Sequence, residues 1–129
     1  MRSALILAVL ILVAMLSTES CFSCADDPKY TVASPSGRRS VTVAIRNCGA
    51  TTGFTTVVSV SQKRLGLYTV SKVLFATEGE LVGDRWFTVR WASDDELIVT
   101  VNAPTELFRQ EAPFRGLAVR YEGSPKFGS

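Results

Sequence analysis

Residues 86–101 read WFTVRWASDDELIVTV, and this stretch decides the fold. Aromatic, Val, Ile and Thr residues fill both halves of it, and these residue types favour strands. Only Ser93, Asp94 and Asp95 separate the two halves, which leaves room for nothing more than a tight reversal of the chain. The stretch therefore predicts two antiparallel strands joined as a β-hairpin.

Further strand-like stretches lie on either side of this hairpin. They are residues 41–45, 54–60 and 117–121, with weaker candidates at residues 30–33 and 72–76. The chain has no space for the long helical crossovers that usually connect parallel strands. We therefore predict an all-β fold, a small and mainly antiparallel sandwich or barrel-like sheet of six or seven strands.

Two local predictions concern the connections. Ser34-Pro35-Ser36-Gly37 predicts a turn, because proline suits its second position and glycine its fourth. The stretch from Thr105 to Gln110 follows Pro104 and predicts one short helical turn.

The amino terminus has the pattern of an export signal. Arg2 precedes 13 uninterrupted apolar residues, from Ala4 to Leu16, and polar residues follow at once. We expect residues 1–20 to be a signal segment, residues 21–28 a linker or anchor, residues 29–122 a single β domain and residues 123–129 a flexible tail. Export places the protein in the periplasm or envelope, held to the membrane through an amino-terminal lipid or an uncleaved signal anchor.

Composition excludes several function classes. The 129 residues include no histidine, which removes Ser-His-Asp triads and histidine-ligated metals. A net charge of +2 is too weak for a nucleic-acid footprint. We expect no metal and no cofactor.

The three cysteines, Cys21, Cys24 and Cys48, form an odd set in a compartment where disulfides persist. If Cys21 is the lipid-modified first residue of the mature chain, Cys24 and Cys48 are left to form a disulfide. The rival pairing joins Cys21 to Cys48 and leaves Cys24 free. Ordinary cleavage after Ser20 also stays open.

Residues 48–54, CGATTGF, are the least generic stretch of the chain. They resemble the signature of a family of small exported bacterial proteins of unknown function, many of them lipoproteins. The turn at residues 34–37 and the hairpin around Trp91 match that family's pattern too, with Ser36 in place of its Asp. The resemblance covers residues 34 to 122 and implies a bacterial envelope location but no activity.

The signature links two predicted strands and has two interpretations. Gly49 and Gly53 permit positive φ, and the Thr51 and Thr52 hydroxyls are able to bind an anion or a peptide carbonyl. The interpretation we favour is structural: Cys48 anchors a turn whose threonines satisfy their own backbone.

The function that these patterns favour is binding without catalysis, to an envelope protein or a cell-wall component. The alternative is an envelope enzyme or enzyme inhibitor with a carboxylate-lined cleft, for which Asp84, Glu106 and Glu111 are the candidates. Basic residues on two predicted loops are interpreted as solvated charges with a weak attraction to anionic lipids or polymers. They are Arg38, Arg39, Lys63 and Arg64.

Overall fold

The computed structural model describes residues 2–16, 24–49, 53–109 and 114–128. Helix α1 covers Arg2–Leu16, and residues 2–12 are all exposed, so this apolar run lies outside the core. Within the described residues, no helix combines the length and the apolar character needed to cross a membrane.

Seven strands follow the helix. They are β1 (Ala25–Ala33), β2 (Arg39–Asn47), β3 (Thr55–Arg64), β4 (Tyr68–Glu78), β5 (Phe87–Ser93), β6 (Glu96–Arg109) and β7 (Ala118–Phe127). Each predicted strand overlaps one of them, and the all-β fold is confirmed. The sheet extends beyond the predicted domain at both ends, because residues 25–28 belong to β1 and residues 123–127 to β7.

The sheet is a meander from β1 to β4 that continues into β6, and β5 and β7 both pair with β6. It curls into a half-barrel, and every pairing is antiparallel except that of β6 with β7. The expectation that the chain has no room for parallel strands is wrong for β6 and β7. Only residues 110–117 separate β6 from β7, and a bulge in their pairing between Val101 and Thr105 bends the sheet so that the chain can return.

The predicted helical turn at Thr105 to Gln110 is also wrong for the residues that the structure describes. Thr105 and Leu107 are buried whereas Glu106 and Phe108 are exposed, which is the two-residue period of a strand. Pairing with β4 and β7 outweighs the weak helical preference that follows Pro104.

The core is formed by side chains of β2 to β6 together with Phe114 and Leu117. Val41 and Val43 on β2 face Val58 and Val60 on β3, and all four side chains are buried. Aromatic rings complete the core: Phe75 meets the edge of Phe87, with ring centroids 5.6 Å apart. Edge-to-face pairs of this kind add about 0.5–1.5 kcal/mol beyond the area they bury.

Strand alternation in residues 86–91 predicts that Trp86 and Trp91, five residues apart, lie on opposite faces of one strand, and the structure differs. Trp86 precedes β5 instead of lying on it, so the two rings do not sit on opposite faces of one strand, and both half-buried rings pack against the core. The indole Nε1 of Trp91 donates a hydrogen bond of 2.9 Å to the Val32 carbonyl. That bond joins β5 to β1, the two strands between which the half-barrel stays open.

The predicted disulfide between Cys24 and Cys48 is present, with the two Cα atoms 4.1 Å apart. Its position follows from the register of the first hairpin. Ala25 pairs with Asn47, so the residue before β1 and the residue after β2 lie side by side. The bond therefore closes the open end of the β1–β2 hairpin.

Candidate functional site

Four connections meet at one end of the sheet, which we call the loop end. They are residues 34–38, 65–67, 94–95 and 114–117. The Cys24–Cys48 disulfide lies at the opposite end, because Arg39 pairs with Gln62 near the end of β3 whereas Arg46 pairs with Thr55 at its start. The loop end contains two features, a buried arginine and an exposed apolar turn.

Arg39 is the buried arginine, with only 6% of its surface exposed. Its Nη1 donates to the Asp94 carbonyl and to the Asp95 carboxylate, both at 2.8 Å. Its Nε donates to the Gln62 side chain at 3.1 Å, and Nη2 lies 3.5 Å from the Arg115 carbonyl. We call these five residues the Arg39 cluster. The guanidinium thus ties the 94–95 and 114–117 connections to β3, so the prediction that Arg39 is a solvated loop charge was wrong.

The Asp94 side chain forms two further hydrogen bonds, which join the 94–95 connection to the 34–38 connection. Its carboxylate accepts hydrogen bonds from the Ser36 amide at 2.9 Å and from the Ser36 hydroxyl at 2.7 Å. These two bonds, the amide first, lower the pKa of Asp94 below its ordinary value. A lowered pKa means that the stabilisation is present at neutral pH and is lost as the pH falls through the folded-state pKa. The predicted 34–37 turn and the predicted 94–95 turn are therefore held against each other.

Replacing Arg39 by methionine is expected to lower the free energy of unfolding by about 2 kcal/mol, since hydrogen bonds to charged groups contribute about 1.5–3 kcal/mol. The loss stays moderate because the Asp95 side chain is 65% exposed and regains water. Urea unfolding measures the change. The matched control is Arg38→Met, which removes an exposed neighbour 3.7 Å from the same carboxylate and should change the value by less than about 0.5 kcal/mol. Equal effects of the two substitutions would show that Arg39 does not organise the loop end.

A groove of about 470 Å³ opens beside the Arg39 cluster. Residues 36–38 line one side, and Lys63, Leu65 and Gly66 line the other, with Asp94 between them. The Lys63 amide donates to the Arg38 carbonyl at 3.1 Å, which holds the two sides together. The groove is therefore a built feature of the fold, with two basic side chains at its rim.

The exposed apolar turn joins β3 to β4 and consists of residues 64–68, which we call the tip. Leu65 is 88% exposed and Leu67 83% exposed, and the Tyr68 ring is exposed beside them. The Leu67 amide donates to the Arg64 carbonyl at 3.0 Å, which closes the turn. Two large apolar side chains thus project into solvent next to basic residues.

The backbone of the tip is unusual for a leucine. Both central residues have positive φ, +54° at Leu65 and +67° at Gly66. Hairpin turns of this kind normally carry Asn-Gly or Gly-Gly, and a residue with a Cβ in the left-handed region costs roughly 1–2 kcal/mol. Leu65 is the only non-glycine residue with positive φ among the described residues. Turn geometry does not explain a leucine at this position.

Sequence reasoning named Lys63 and Arg64 but missed the two leucines. The signal was present, because Leu-Gly-Leu lies between two strand runs where a turn would carry polar residues. Exposure of both side chains, however, depends on the hairpin projecting beyond the sheet.

The predicted binding loop is described only in part. Thr51 and Thr52 lie outside the described residues, as do Cys21 and Glu111. Gly49 has a φ of +131°, and its amide donates to the Asn47 side chain at 3.0 Å. These contacts agree with a turn anchored by Cys48.

The candidate carboxylates do not assemble as one site in the described part of the chain. Glu106 lines a second groove of about 260 Å³ with Glu78 and Trp86, but Asp84 does not line it. Asp84 instead accepts a hydrogen bond at its carbonyl from the Asn102 side chain at 2.6 Å. The described ranges contain no group of three or more Cys, Asp and Glu residues placed to hold a metal ion.

Comparison of the chain with protein-family models, with curated proteins and with solved structures finds no match. The likeness to the CGATTGF family therefore stays a prediction.

Proposed function

We propose that this protein is an exported β domain of the cell envelope, held at the membrane through its amino terminus, that acts by binding and not by catalysis. The exposed tip carries this proposal, because two leucines kept in water on a strained turn indicate a surface that becomes covered by a partner. The apolar run before Ser17 supports export, and the Cys24–Cys48 disulfide is compatible with an oxidising compartment.

The proposed anchor is a lipid on Cys21. Replacing Cys21 by serine should move the protein from the membrane fraction to the soluble fraction, because the modified thiol is lost. Cell fractionation followed by intact-mass measurement tests this, and Ser23→Ala is the control that leaves the thiol in place. A mature terminus downstream of Cys21, or membrane association that survives the substitution, would reject the lipid anchor. Recovery of an uncleaved chain from the cytoplasm would reject export altogether.

The second candidate, an enzyme or an enzyme inhibitor, has one observation in its favour. Glu78, Glu106 and the Trp86 ring share the second groove. Its volume of about 260 Å³ lies below the roughly 300–1,000 Å³ that is usual for small-molecule sites. The groove at the loop end is larger, and the tip adjoins it, so binding at the loop end is the better supported function.

A further inference from the structure

We propose that the tip binds an anionic phospholipid bilayer, with Leu65 and Leu67 entering the interface and the neighbouring cations contacting the headgroups. This inference rests on the proposed function, since it names the partner of the same exposed surface. The proposed partner of the tip is lipid. Binding of a second copy of the chain or of a partner protein would contradict this proposal.

The order of side chains along the hairpin fits a bilayer interface. The leucines occupy the outermost positions, Tyr68 follows, and Lys63 and Arg64 stand just behind them on β3. Leucine suits the acyl boundary, tyrosine suits the interfacial layer, and basic side chains suit the phosphate level. A protein partner would not require this layering.

The charges of the loop end favour an anionic surface. Five cations lie there: the exposed Arg38, Lys63, Arg64 and Arg115, and the buried Arg39. Two carboxylates lie among them: Asp94 accepts two hydrogen bonds from Ser36, and Asp95 pairs with Arg39 at 2.8 Å and with Arg38 at 3.7 Å. The Arg64 guanidinium lies 5.8 Å from the centre of the Phe114 ring, and no described carboxylate pairs with the Lys63 side chain. The cations of the loop end outnumber its two carboxylates, so this end keeps a positive charge that attracts lipid phosphates.

The strained turn is the independent observation. Asparagine at position 65 would relieve the left-handed backbone, because its short polar side chain tolerates that conformation. A leucine kept there at a cost in stability is explained if its side chain gains a partner. Leu65→Asn should therefore make the fold more stable and the lipid contact weaker, two opposite effects that separate binding from folding.

The position of the tip also constrains the orientation of the β domain relative to the membrane. The disulfide end and the tip lie at opposite ends of β3, whose ten residues span roughly 33 Å. If the amino terminus and the tip contact the same membrane, the strand runs along the bilayer surface. Two attachments of this kind hold a protein far better than one.

The test uses the full chain with vesicles of phosphatidylcholine, with and without phosphatidylglycerol. Because the apolar amino-terminal segment can itself hold the chain on a vesicle, the readout is amide hydrogen exchange at residues 64–68. We expect slower exchange of these amides on phosphatidylglycerol vesicles and little change on phosphatidylcholine alone. The double variant Leu65→Asn/Leu67→Ser should lose the protection and its dependence on phosphatidylglycerol, because the side chains that enter the interface are gone. Phe54→Ser, which removes an exposed ring at the opposite end of β3, is the matched control and should keep both.

The charge contribution is tested in the same assay. Arg38→Gln and Lys63→Gln should each lower the exchange protection of residues 64–68 on phosphatidylglycerol vesicles about fivefold, which corresponds to about 1 kcal/mol for each cation near an anionic surface. Arg90→Gln removes an equally exposed cation from β5 and should have no effect.

Three outcomes would overturn the proposal. They are exchange at the tip that does not change on anionic vesicles, protection that is equal on both lipid mixtures, and protection that appears without lipid as the protein concentration rises, which would identify a second copy as the occupant. Failure of the vesicle test leaves export and anchoring to be judged by fractionation, so the two proposals fail separately.

Discussion

Replacing Gly123 by alanine is expected to lower the free energy of unfolding by more than about 3 kcal/mol and to separate β7 from β6. A Cβ at this position would lie 2.2 Å from the Val101 carbonyl oxygen, which is backbone and cannot rotate away. The φ of +86° adds the strain of a left-handed residue. The pairing of β6 with β7 changes register at this point, so the close approach belongs to the bend of the sheet.

The matched control for this prediction is Gly37→Ala. Gly37 has a similar φ of +75°, but no atom lies within 4 Å of the position that its Cβ would occupy. Its substitution should cost only the backbone strain, roughly 1–2 kcal/mol. Thermal unfolding of both variants measures the difference. Equal decreases in stability for the two variants would show that the contact with Val101 does not make Gly123→Ala more destabilising.

Removal of the Cys24–Cys48 disulfide is expected to have the second large effect. The double variant Cys24→Ser/Cys48→Ser should lose about 3.5 kcal/mol, because the bond closes a loop of about 25 residues in the unfolded chain. The folded hairpin would also lose the link that holds the start of β1 against the end of β2. Urea unfolding, with and without reductant, measures the change.

Cys21→Ser is the control for the disulfide, since it also exchanges a cysteine for a serine. It should leave the free energy of unfolding unchanged. If Cys21→Ser lowered stability and Cys24→Ser did not, the rival pairing of Cys21 with Cys48 would be correct. Reductant should not change the free energy of unfolding of the double variant. A decrease on reduction would show that another pair of cysteines forms a disulfide.

Local pattern was enough to predict the strands. The strand at residues 41–45 and the hairpin around Asp94-Asp95 were both predicted from the residue types in each stretch, and both are confirmed. The disulfide was predicted from cysteine counting and compartment, and the register of β1 with β2 explains why the two residues meet. The tip was predicted only as a basic loop. Its exposed leucines were missed because exposure is a property of the assembled sheet.

The Arg39 cluster shows most clearly what lay beyond the sequence. Arg38 and Arg39 are neighbours of the same residue type, yet one points into solvent and the other is buried. Arg39 is the buried one because its side chain contacts Gln62 on β3 and the β5–β6 turn. That turn lies 55 residues further along the chain.

The sequence by itself determined the all-β class, the strand positions, the turns and the disulfide, because these depend on contacts close in the chain or on simple counting. Tertiary structure alone decided the parallel pairing of β6 with β7, the burial of Arg39 and the projection of Leu65 and Leu67. The physical reason is that curling the sheet brings together connections from distant parts of the chain. No local pattern records which of their side chains will then be covered and which will remain in water.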